Sequence, residues 1–194
     1  MEVFKWLVWV LLILTIVAIV FRGPLFRLTV TYRSIGLRAN YTATEETLIQ
    51  LINQKVAGQI NPDIRQIIRL SLSLTSKQLN YVTPNDNIDP NQMITSRSAD
   101  CVGYAAFFST TCNYLLEKYK LADTWTARPQ VGYIYFLGIN IHKYFHTPFF
   151  KDHDFATLEN KMTGQTFAVD PSINDYLRID FVTFNPEKLT EYNS

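Results

Sequence analysis

An α+β domain behind one apolar N-terminal helix is the fold class this sequence predicts, and three observations predict it. Residues Trp6 to Phe21 (WLVWVLLILTIVAIVF) carry no charge. The middle of the chain holds three segments in which apolar residues recur at helical spacing. The last third holds strand-like segments separated by turns that contain Gly and Pro. A chain of 194 residues has the size of one domain and is long enough to bury a core.

Composition excludes several functions. Eighteen Lys+Arg against 17 Asp+Glu leave a formal charge of +1, and no basic tract interleaves with aromatics, so nucleic acid is not an expected partner. Two cysteines, Cys101 and Cys112, are too few for a disulfide framework and lack zinc-site spacing. No phosphate loop or dinucleotide fingerprint is present, and no cofactor or metal is expected.

Val3 and Phe4 extend the apolar run beyond Lys5, and about 20 apolar residues are what a bilayer core requires. A cleaved signal peptide is the alternative, but Arg22, Gly23 and Pro24 follow the run instead of a small-x-small cleavage site. Residues 3–22 are therefore expected to be a single-pass anchor, with Trp6 and Trp9 near one interface and Gly23-Pro24 ending the helix. Arg22, Arg27, Arg33 and Arg38 follow the span, whereas Lys5 and the terminal amine precede it. That count leans toward a cytoplasmic domain, although the short N-terminal tail is equally that of an ordinary signal anchor.

Residues 23–41 form a juxtamembrane linker or strand, since Phe26 to Tyr32 (FRLTVTY) is β-prone. The domain proper is expected over residues 42–194. Thr42 to Glu45 matches a capping box, so a helix is expected from Thr42 through LIQLINQKV with Leu48, Leu51 and Ile52 buried, ending before Gly58. Asn61-Pro62 supplies an N-cap and first-turn proline for a second helix, with Ile64, Ile67, Ile68 and Leu72 on one face. Tyr81 to Gln92, dense in Pro, Asn and Asp, reads as a surface loop. A largely apolar helix then runs from about Asp100 through Lys120, with Ser98 and Asp100 both available as its cap.

Cys101 falls in the first turn of that helix, where unpaired N–H groups and the helix dipole stabilise a thiolate. Cys112 lies eleven residues further along the same helix, roughly 16 Å away, too far for a disulfide, and reads as a packing residue. A nucleophilic thiol needs a base. His142 and His146 flank the aromatic segment NIHKYFHTPFF around Pro148, without the carboxylate of a zinc motif. His153 opens the strand-like HDFATLEN, which a turn at KMTGQ joins to TFAVD, ending at Asp170-Pro171. A hairpin closed at Met162-Thr163-Gly164 pairs residues whose numbers sum to about 326 or 327. Asp170 then lies opposite residue 156 or 157, three to four positions from His153, a gap that calls for a bulge or strong twist. Asp152 and Asp154 flank His153 and compete as its orienter.

The order of Cys101 in RSADCVGYA, His153 in HDFATLE and Asp170 in FAVDPS resembles the core of the transglutaminase-like superfamily, over roughly residues 97–172. Phe155 stands where a tryptophan often follows the histidine. The resemblance implies a papain-like core, in which the helix bearing Cys101 packs on an antiparallel sheet. It also implies a triad in which Cys101 attacks a carbonyl, His153 moves the proton and Asp170 fixes the imidazole tautomer. The intermediate is a thioester, and an amine or water completes transamidation or hydrolysis of an amide in a protein or peptide substrate. The oxyanion is held by the Cys101 N–H and one further donor, for which Gln78, Tyr81 and Gln92 are available. The calcium dependence of some members has no carboxylate loop here. An inert, membrane-tethered binding or assembly module of the same fold is the alternative. Its support is 11 Tyr and 13 Phe, with runs such as VGYIYFLGINIHKYFHTPFF, which also fit a central strand followed by a packed aromatic loop.

Overall fold

The computed structural model describes residues 2–83, 87–147 and 150–186. It is an α+β structure with a mixed sheet, preceded by an apolar helix. That helix, α1 (Glu2–Val20), has a mean hydropathy of 2.7 over its most apolar window and buries none of it, so it is long and apolar enough to span a membrane, as a signal sequence also is. The helix stops earlier than Gly23-Pro24. Pro24 has no N–H for the Val20 carbonyl, and the chain restarts after Phe21 as α2 (Arg22–Thr29), whose first turn accommodates the proline.

The strand expected within residues 23–41 is β1 (Val30–Leu37), an interior strand of the main sheet, so the sheet begins well before residue 42. Two helix caps differ from expectation. Helix α3 (Glu46–Lys55) starts after Glu45 without the Thr42 box, because the Thr44 and Glu45 N–H groups donate to Asn91 Oδ1 at 2.8 and 3.0 Å. Helix α4 (Ile64–Gln78) is capped by Asp63 in a reciprocal box with Gln66, while Asn61 takes a left-handed conformation. Within the expected loop, Asp89-Pro90 starts α5 (Pro90–Ser96), with Asp89 accepting from the Asn91 N–H. Short strands β2 (Asn80–Tyr81) and β3 (Ser98–Ala99) then pair in parallel.

Helix α6 (Cys101–Lys118) is capped by Asp100, whose carboxylate accepts from the Gly103 N–H at 3.2 Å. It is buried almost all round. Leu115, Leu116, Phe107 and Phe108 join Ile67, Ile68 and Leu72 of α4, and Ala127, Ala156 and Leu158 of the sheet, in one core. The remaining elements are β4 (Trp125–Phe136), β5 (Ile139–Asn140), a 3-10 turn (Ile141–Tyr144), β6 (His153–Asn160), β7 (Thr166–Val169), α7 (Pro171–Leu177) and β8 (Thr183–Phe184). The main sheet runs β7-β6-β4-β1-β8, with β5 paired to β4. It is not wholly antiparallel, because β1 and β8 pair in parallel while the other main-sheet pairings are antiparallel. The run VGYIYF is part of the central strand β4, and of the aromatics after it Tyr144 is exposed while Phe145, half-exposed, packs on Phe150 with ring centroids 4.9 Å apart. Pro148 lies outside the described residues.

Gly132 on β4 pairs with His153 on β6. A Cβ there would lie 2.1 Å from the Arg33 carbonyl oxygen and 2.9 Å from Phe155 Cε1, so only glycine lets β1, β4 and β6 close at this level. Gly132→Ala is expected to destabilise the protein by about 3 kcal/mol, lowering the unfolding midpoint by roughly 6–12 °C. Gly36→Ala, whose Cβ would meet Val131 Cγ1 at 3.4 Å, should stay within about 1 kcal/mol. Thermal unfolding of the detergent-solubilised chain checks both.

Candidate active site

The local fold of three elements brings the residues together. Cys101 is the first residue of α6, directly after its Asp100 cap. The β2–β3 pairing sets Tyr81 beside Ala99, two residues before Cys101, and the Val82 N–H donates to the Ala99 carbonyl at 2.9 Å. His153 is the first residue of β6, and Asp170 is the residue at which β7 ends and α7 begins.

The β6–β7 pairing is regular over four residue pairs and runs Ala156 to Val169, one residue tighter than the turn residues imply. Continued, it sets Asp170 opposite Phe155, which shares a strand face with His153. That diagonal is short enough for side chains to meet without a bulge. His153 Nε2 and Asp170 Oδ2 are 2.6 Å apart.

Asp170 is fully buried and saturated. Oδ2 also accepts from the Tyr32 hydroxyl at 2.7 Å. Oδ1 accepts from the Ser172 N–H, the Ser172 hydroxyl and the Ile173 N–H at 3.0, 2.6 and 3.0 Å. Burial acts to raise the Asp170 pKa, but the neighbouring His153 and the hydrogen bonds from Ser172 and Ile173 hold it below its ordinary value. Burial likewise opposes protonation of His153, yet Asp170, with Cys101 adding to it, lifts its pKa to about 10. Since Nε2 faces Asp170, Nδ1 is the ring nitrogen left open, and Cys101 lines the same cavity as His153. The Tyr81 pKa is raised by burial and then by the Cys101 and Asp100 charges, and Tyr81 lines that cavity too.

The other candidates fall elsewhere. Asp154 does not compete for His153, because Arg38 holds it through two bonds, Nε to Oδ1 at 2.7 Å and a terminal guanidinium nitrogen to Oδ2 at 3.1 Å. Asp152 lines the cavity in front of Cys101 without taking the place of Asp170. Of the possible oxyanion donors, Tyr81 lines that cavity. Gln78 instead donates to the Ile94 carbonyl at 2.9 Å, and Gln92 is exposed on α5. His142 is a buried residue of the cavity wall whose Nδ1 lies 2.8 Å from the Phe150 carbonyl oxygen. Cys112 is fully buried, and burial pushes its thiol up to about 12, with Ser71 opposing.

Sequence reasoning did not find Tyr32, Arg38 or Ser172 as site residues. Ser172 carried a signal, the D-P-S turn, in which a hydroxyl two residues after a cap returns to it. Among the described residues no group of three or more His, Cys, Asp or Glu forms a metal cluster. No protein-family model, curated protein or solved structure matches this chain.

Tyr32→Phe leaves Asp170 with one partner fewer and should cost about 1–3 kcal/mol in urea unfolding. The raised His153 pKa stabilises the fold fully below 6.5 and loses that contribution as pH rises through about 10. The depressed Asp170 pKa does so above 3.8 and loses it as pH falls through the lower folded-state value. The stability difference between the wild type and His153→Ala should therefore be largest between those two limits, near pH 4–6.5, and shrink toward pH 10, as denaturation series at several pH values will show.

Proposed function

We propose that this chain is a membrane-anchored cysteine acyltransferase or hydrolase of the transglutaminase-like type, with a papain-like core, acting on amide bonds. The observation that carries the reading is the His153 imidazole fixed by the buried Asp170, with Nε2 2.6 Å from the carboxylate, in a cavity that Cys101 also lines. A histidine fixed on one side by an acceptor offers one defined nitrogen to a thiol on the other.

With His153 carrying the proton, as its raised pKa favours, the Cys101 sulfur bonds to the acyl carbon of the donor. Charge then develops on the carbonyl oxygen, for which the first-turn N–H of Cys101 and the Tyr81 hydroxyl are the nearby donors. As the C–N bond breaks, His153 returns the proton to the leaving amine, and a thioester remains on Cys101. A second amine, or water, gives its proton to His153 and attacks the thioester, releasing the thiol. Asp170 keeps the ring orientation through both halves and stays ionised.

This arrangement favours the acyl-transfer reading over an inert assembly module. Asp170 also caps α7 and bonds to Tyr32, but a fully buried carboxylate paired with an imidazole carries a desolvation cost that apolar residues of similar size avoid. Anchoring by α1 belongs to the same proposal, with its length and composition in support.

Iodoacetamide is expected to alkylate Cys101 at neutral pH, and His153→Ala should slow this by at least tenfold, read by peptide mass spectrometry. Rapid labelling of Cys112 with Cys101 inert would overturn the reading.

A further inference from the structure

The cavity in front of Cys101, about 320 Å³, is walled mainly by Ile134, Ile141, Phe145, Phe150, Ile173 and Tyr176. Of its polar side chains, Ser172 is engaged with Asp170 at 2.6 Å and His142 Nδ1 lies 2.8 Å from the Phe150 carbonyl oxygen, while His142 Nε2 is buried without a partner among the described residues. A pocket of this size and lining favours an apolar group beside the reacting carbonyl.

Both sides of the cavity are fastened to the helix that follows α1. Ile173 and Tyr176 lie on α7, whose final carbonyl, that of Leu177, accepts a 2.6 Å hydrogen bond from Arg22 Nε, in the first residue of α2. Seven residues of α7 cover roughly 10 Å, so the Asp170 cap lies about one short helix from the point where α2 begins. On the opposite side, Ile134 belongs to β4, which ends by pairing Phe136 with Val30, and the Leu137 N–H donates to the Thr29 carbonyl at 2.7 Å, at the end of α2. Around this junction Leu28, Phe136, Leu137, Ile139, Tyr144 and Phe145 are 46–81 % exposed. An exposed apolar and aromatic rim attached to a membrane-proximal helix is suited to the lipid–water interface, into which such groups sink by roughly 5–10 Å.

We infer that the acyl donor is a membrane lipid whose long acyl chain enters this cavity and presents its carbonyl to Cys101. The inference rests on the thiol acyl-transfer reading and names its substrate class. The Cys101 sulfur forms the C–S bond and the C–N or C–O bond to the lipid headgroup breaks. The proton that His153 took from the thiol passes to the departing amine or hydroxyl. Water or an acceptor amine then cleaves the thioester, gives its proton to His153, and the thiol is restored.

The test uses the full chain in phosphatidylcholine liposomes with p-nitrophenyl acetate, octanoate and palmitate as donors. Nitrophenol release and the intact mass of the acyl-enzyme are read together. The palmitoyl rate is expected to exceed the acetyl rate by at least tenfold, and Ile173→Trp, which fills the cavity, should reduce that ratio by at least tenfold. Leu137→Asp, at an exposed site that folding does not require, should also lower the palmitoyl rate on liposomes, by about tenfold. Equal acylation by all three donors would overturn the lipid assignment and leave the thiol chemistry intact. So would faster acylation by the p-nitrophenyl ester of an N-blocked phenylalanine than by palmitate, which would assign the cavity to a peptide side chain. Absence of a Cys101 adduct with every donor, acetate included, would overturn the thiol reading and this inference with it.

Discussion

The Asp170 carboxylate is the point on which the site and much of the fold converge. Its two oxygens take bonds from Tyr32 on β1, from His153 on β6, and from Ser172 and Ile173 in the first turn of α7. One buried charge thus does three things at once: it caps a helix, ties the interior strand β1 to the β7 edge of the sheet, and orients the imidazole. A carboxylate removed from water has a large solvation deficit, and only a full set of donors with a cationic partner offsets it. Four donors and His153 meet that requirement, and they leave the carboxylate little freedom to turn.

The same constraint explains why the cysteine sits at a helix start rather than elsewhere. Helix α6 is the most deeply packed element, flanked by α4, α7 and the sheet, so its N-terminus is held by side chains along its whole length. Asp100 ends the incoming chain by capping Gly103, and the following residue is Cys101. A Cβ at Gly103 would lie 2.7 Å from both Ala99 Cβ and Met93 Cε, so the missing side chain lets the first turn seat against β3 and α5. Tyr104 adds a tether from the same turn, donating to the Leu79 carbonyl at 3.1 Å and to Asp175 at 2.9 Å. Cys101 therefore stands on a helix whose position is determined by burial, not by loop geometry.

Much of this was legible in the sequence, and the parts that were not share a physical cause. Helix α6, with Ser98 or Asp100 as its cap, and the hairpin that brings Asp170 toward His153 follow from local pattern, because capping residues, apolar spacing and hairpin turns act over a few residues. The hairpin register that the turn residues imply is, however, one residue too loose for the two to meet without a bulge. The β1 strand was visible only as β-prone. Its interior position depends on pairing with β4 and β8, roughly 100 and 150 residues further on. Tyr32 and Arg38 were missed for that reason, since their partners Asp170 and Asp154 are 138 and 116 residues away. The misplaced cap of α3 has the same origin, because Asn91 supplies its acceptor from α5 across 46 residues. Competition between neighbouring cap residues moved the start of α4 from Asn61 to Asp63, where Gln66 completes a reciprocal box.

The route from the apolar helix to the active site is short and continuous. Phe21 alone separates α1 from α2, β1 follows α2 without a gap, and the third residue of β1 is Tyr32. That hydroxyl lies 2.7 Å from the carboxylate that holds His153, and the Tyr32 ring meets the His153 and Phe155 rings edge-on with centroids 6.1 and 5.2 Å apart. At its other end α2 is latched by its first residue, Arg22, to α7, the helix that Asp170 caps. An element pinned at both ends to one carboxylate's surroundings cannot tilt freely about the sheet. The orientation of the cavity relative to α2 is thus set by the hydrogen bonds around Asp170 and at the two ends of α2.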